Sequence, residues 1–116
     1  MTVEADATID RARQSLIDFT ELMPILKLAG YTVSEISVEL GLPPKIVASF
    51  EGRPPVPEQD VEALLKRHEH ELVATTIIRA LVRARKLQDS VKVGDFKPKG
   101  LSLSVSVPPS IVVRFG

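Results

Sequence analysis

The apolar residues of the first quarter of the chain recur at helical spacing. Ala5, Ile9, Ala12, Leu16, Phe19, Met23 and Leu26 form one stripe, and steps that alternate between three and four residues keep it on one face of an α-helix. Pro24 falls inside the stripe, so a kink or a break into two helices is expected there, with residues 24–29 opening the next unit and Gly30 closing that helix. In the stretch 33–52, Ile36, Leu40, Leu42, Val47 and Phe50 fit the apolar positions of two short helices packed on each other. Ser37 provides the small contact residue, Gly41 a turn at positive φ, and Pro43 and Pro44 the start of the second helix. From 57 to 89 no glycine or proline follows Pro57, which predicts a long helix opened by Glu58, Gln59 and Asp60. Within it Leu72, Val73, Ala74, Ile77, Ile78, Ala80, Leu81, Val82, Ala84 and Leu87 occupy more than one face, so contacts from several sides are expected, with other subunits as their source. The β-branched cluster Thr75, Thr76, Ile77 and Ile78 weakens that helix and leaves a helical hairpin as the alternative. The period then changes. Leu101, Leu103, Val105 and Val107 alternate with serines, and Ile111–Phe115 follows a proline turn, which predicts a β-hairpin with its serine side toward water.

These elements predict a mainly α chain. Residues 1–52 form an N-terminal helical bundle, 53–57 a proline-rich linker, 58–92 central oligomerisation helices and 93–116 a C-terminal β-hairpin. A lone hairpin is marginal in water, so its apolar side needs a partner: either the chain's own helices or equivalent hairpins that close an intersubunit β-barrel. A length of 116 residues with 44% hydrophobic content supports one small domain with a modest core. The absence of cysteine excludes disulfides and thiolate metal sites and agrees with a reducing cytoplasm. The acidic start MTVEADATID lacks the apolar core of a signal peptide, and no apolar run is long enough for a bilayer, so a soluble cytoplasmic protein without membrane contact is expected.

Net charge is zero but unevenly placed. Residues 1–62 carry eleven acids against five bases, a net −6, and residues 63–116 carry ten bases against four acids, a net +6. The first half repels phosphate at long range and the second attracts it, or the two halves attract each other between subunits. No catalytic constellation is visible: there is no phosphate-binding glycine loop, no cysteine nucleophile and no nucleophile elbow. His68 and His70, two residues apart on a helix, point to different sides and do not chelate one ion, so no metal or other cofactor is expected. With one tyrosine, four phenylalanines and no tryptophan, the chain has few aromatics for a single-strand stacking platform.

The pattern over 33–52 resembles the helix-turn-helix of repressor-like DNA-binding proteins. The order of helix-turn-helix, long central helix and C-terminal hairpin resembles the small terminase subunits of tailed phages. That resemblance implies a non-catalytic, ring-forming component of genome packaging. It would be a homo-oligomer of more than two subunits that binds double-stranded DNA and recruits a large terminase motor subunit. It places DNA contact at Pro44, Lys45, Ala48, Ser49 and Arg53, although Lys45, Ile46, Ala48 and Ser49 are a poor set for reading bases. The basic run Arg79, Arg83, Arg85, Lys86 and Lys92 supplies further phosphate contacts or bridges to an acidic neighbour. The alternatives are a small dimeric helix-turn-helix transcriptional regulator and a protein-only assembly factor.

Overall fold

A computed structural model describes residues 3–41, 43–51, 56–105 and 109–116, with side chains from residue 7 onward. The order of elements is α1 (Val3–Leu28), β1 (Thr32–Glu39), β2 (Lys45–Glu51), α2 (Glu58–Arg67), α3 (Leu72–Ser90), β3 (Pro98–Val105) and β4 (Ser110–Phe115). The strands form one antiparallel sheet in the order β1-β2-β3-β4. The mainly α prediction is therefore corrected to a mixed architecture of three helices and a four-stranded sheet.

The heptad at the start survives. Ala12, Phe19 and Leu26 are buried, and α1 continues through Pro24 without a break. It ends at Gly30, whose φ of 95° allows the reversal in which Tyr31 N–H bonds Leu26 O at 2.9 Å and Gly30 N–H bonds Lys27 O at 3.0 Å. The anticipated helix-turn-helix is a β-hairpin instead: Ile36 pairs with Ala48 and Val38 with Ile46. The reason lies in a period that the helical reading passed over. Ile46, Ala48 and Phe50 alternate strictly, and Thr32, Val33, Ile36, Val38, Ile46 and Val47 are β-branched residues that favour a pleated surface. The irregularity between Val33 and Glu35 shifts the phase of β1 by one residue, which hides its alternation. Gly41 is not at positive φ; Gly30 and Gly94 are.

Of the two readings of 57–89, the hairpin is the one observed, but its break falls at 68–71 and not at the threonine pair. Burying Val61, Leu64 and Leu65 of α2 in the same core as Ile77, Ile78 and Leu81 of α3 requires the chain to reverse, which one straight helix cannot do. Thr75, in the first turn of α3, is tolerated because its hydroxyl donates to Glu71 O and Leu72 O, each at 3.2 Å. Within one chain β3, β4 and α1 cover the face of α3 that carries Ala74, Ile77, Ile78 and Leu81, whereas Leu72, Val73 and Leu87 stay exposed.

The C-terminal hairpin forms as expected, with Leu103 opposite Ile111 and Ser102 opposite Val112. Its strands do not close a barrel. β3 instead pairs with β2, placing the C-terminal hairpin beside the N-terminal one in an open sheet. Inner-face rows run Val33-Phe50-Leu101-Val113 and Ile36-Ala48-Leu103-Ile111 across the four strands. Phe50, Ala48, Leu101 and Leu103 join Phe19, Leu26, Ile77, Ile78 and Leu81 in one core. The molecule is a plate, 48 × 38 × 21 Å, as a sheet with a single helical layer should be. Of the proline-rich linker, residues 53–55 lie outside the described residues.

Candidate protein-interaction surface

Register fixes which side chains share a face, and this separates the residues expected to contact DNA. Ala48 is fully buried on the inner face. Its neighbour Ser49 lies on the opposite face, where its hydroxyl is 3.2 Å from that of Ser102 and its carbonyl accepts from Ser34 at 3.1 Å. Lys45 is exposed at the start of β2, opposite Glu39, and Pro44 is half-buried in the connection before it. Arg53 lies outside the described residues. A buried alanine and a serine on the far side of the sheet do not form one DNA-reading surface, so this set is not assembled as a recognition helix would assemble it.

The basic residues of α3 also divide. Arg79, Arg83 and Lys86, spaced by four and three, line a groove of about 150 Å³ against Glu58, Val61, Glu62 and Leu65 of α2. Lys86 Nζ lies 3.1 Å from Glu58 Oε1, with both side chains largely exposed. The acidic and basic halves of the chain therefore meet inside one molecule at this pair, which is worth no more than ~1 kcal/mol at such exposure. Arg85 turns the other way. Its guanidinium sits 6.0 Å from the centre of the Tyr31 ring, which meets Phe50 edge-on at 6.0 Å and 79°. Burial pushes the Tyr31 hydroxyl above its ordinary pKa of 10.0, the Arg85 charge opposes that shift, and Asp89 adds to it. A cleft of about 130 Å³ opens there, lined by Glu51, Arg85, Asp89 and Lys99 among others. Two acids and two bases line it, so it has no single charge preference. His68 Nδ1 is 2.6 Å from Glu71 Oε2 in the α2–α3 connection, and no cluster of three metal-ligand side chains occurs among the described residues.

Sequence reasoning missed Gln88. It is buried, and its Nε2 donates to Gly100 O at 3.1 Å and Arg114 O at 2.8 Å, tying α3 to both strands of the C-terminal hairpin. Its signal was present: Ala74, Leu81 and Gln88 fall seven apart on the buried stripe, and a polar residue in such a stripe needs internal partners. Gly100 matters for a related reason. A Cβ there would lie 2.9 Å from Phe50 O, so the backbone of β2 would have to shift for any other residue, whereas Arg114 Nη2, at 3.0 Å, ends a flexible side chain that can move away.

The remaining surface is the sheet itself. Its outer face carries Ser37, Val47, Ser104 and Ser110 in one row and Glu35, Ser49, Ser102 and Val112 in the next. None of these residues belongs to the core. Ser102 and Ser104, expected to face water, are buried among neighbours on the central strand, and Ser104 Oγ has no hydrogen-bond partner. Among the described residues, β1 and β4 each pair on one side only. Searches against protein-family models, curated proteins and solved structures returned no match for this chain.

Proposed function

We propose that the protein is a non-catalytic assembly subunit that joins other protein chains through its sheet. The observation supporting this is the pair of one-sided edge strands on a sheet whose core-facing residues all lie on one face. Unpaired backbone N–H and C=O groups along an edge are a ready template for another strand, and natural sheets usually protect them. An assembly role agrees with the homo-oligomer implied by the small-terminase resemblance. It no longer draws on a helix-turn-helix, since 32–51 are strands and their connection. Native light scattering tests it: masses above that of one chain, rising with concentration, are expected. A monomer mass at every micromolar concentration, with no strand peptide or protein bound, would overturn the reading.

A DNA-bound role, including genome packaging, is the second reading. It is favoured by Arg79 and Arg83, exposed and without acidic partners among the described residues. The groove they line also holds Glu58 and Glu62, which weakens phosphate attraction. If Arg79→Glu with Arg83→Glu abolishes a mobility shift of double-stranded DNA while mass is unchanged, DNA is a partner; absence of any shift at low salt removes it.

A further inference from the structure

Resting on the assembly reading, we infer that the occupant of each open edge is a second copy of this chain, docked head to tail with β4 of one copy against β1 of the next. Direction comes first. Four strands in sequential antiparallel order leave β1 and β4 running in opposite senses, so copies related by simple translation along the sheet bring β4 and the next β1 together as an antiparallel pair. Nothing has to invert for the sheet to continue.

Register comes second, and side-chain chemistry selects it. Setting Arg114 opposite Glu35 places Val113 opposite Ile36, Val112 opposite Ser37, Ile111 opposite Val38 and Ser110 opposite Glu39. The inner-face apolar rows then run on from copy to copy. Ile36, 38% exposed although it sits on the core side of the sheet, and half-buried Val38 meet half-buried Ile111 and Val113. On the outer face, a positive charge meets a negative one. Neither Glu35 nor Arg114 has an ion-pair partner among the described residues, and Arg114 Nε is buried without an acceptor. Shifting by two residues puts Arg114 opposite Ser37 and Val112 opposite Glu39, which loses the charge pair and sets an apolar side chain against an acid.

Symmetric alternatives fit less well. Two β1 strands paired about Ser37 would set Glu35 against Glu39 twice, a like-charge contact that is destabilising across strands. Two β4 strands would leave the glutamates of β1 and the exposed flank of Ile36 unused. A head-to-tail contact is heterologous, so it extends the sheet from copy to copy until a ring closes or a filament grows.

The chain contains no cysteine, which permits a direct test on the full-length protein. Ser37→Cys with Val112→Cys in one chain should give, on mild oxidation, a ladder of covalent dimers, trimers and higher species, while each single-cysteine variant stays monomeric on a denaturing gel. Separately, Glu35→Arg and Arg114→Glu, each folded by circular dichroism, should assemble at least tenfold more weakly than the parent, and an equimolar mixture of the two should recover assembly because each supplies the other's opposite charge. A covalent dimer from Val112→Cys alone would replace this arrangement with a symmetric β4 contact. Parent-like assembly by both charge variants and no ladder would overturn it while leaving the assembly reading intact. A parent protein that is monomeric and binds no other chain would remove both.

Discussion

The two hairpins of the sheet are close in length yet differ in how they are held. The C-terminal pair β3–β4 packs under α3, which also bonds both strands through Gln88, and its strand β3 is central, with Leu101 and Leu103 almost wholly buried. The N-terminal pair β1–β2 lies against α1, and its fully buried side chains all come from β2. Ile46, Ala48 and Phe50 are buried, whereas β1 is mostly exposed and carries a register shift. A strand's position in the sheet, more than its composition, thus decides how much of it is locked into the core. An edge strand retains the solvent access that assembly requires.

The largest test of that contrast is truncation at matched positions in one cross-sheet row. Leu103→Ala, at a side chain with no exposure, should cost about 2–5 kcal/mol because it leaves a cavity in the shared core. Ile36→Ala, in the same row but 38% exposed, should cost under about 1 kcal/mol. Denaturant unfolding of both variants checks this, and equal losses would mean that β1 is held as firmly as β3.

Gln88→Leu keeps the volume but removes the two bonds to Gly100 O and Arg114 O. A loss of about 1–3 kcal/mol is expected, since buried carbonyls lose a donor. Amide exchange should quicken in β4 before β1. Uniform acceleration would show that the tether acts on the whole core and not on one hairpin.

The smallest effect concerns the aromatic joint of the N-terminal pair. Tyr31 has its pKa raised in the folded state, chiefly by burial, so folding favours its protonated form. The associated stability is complete below the unfolded value of 10.0 and is lost as pH rises through the folded value. Tyr31→Phe, which keeps the edge-on contact with Phe50, should therefore flatten the fall in melting temperature above about pH 10 and change little near neutrality. An unchanged alkaline slope would assign that fall to other groups.

The sequence alone carried the heptad of α1, its stop at Gly30 and the serine-alternating hairpin, because each is a local pattern with a single matching backbone period. It also carried the low content of catalytic and metal-ligand types. It misread 33–52, where a bulge displaced the alternation of β1 by one residue and Pro-Gly punctuation suits a strand turn as well as a helix turn. The alternation of Ile46, Ala48 and Phe50 is local and legible, but the pairing of β2 with a central β3 that arrives from some fifty residues further on leaves no trace in a window of a dozen residues. The candidate surface has the same origin. Glu35 and Arg114 become charges on opposite rims of one sheet, and Gln88 becomes a tether, only once distant segments are paired, because register and edge position are properties of the assembled sheet and not of any strand within it.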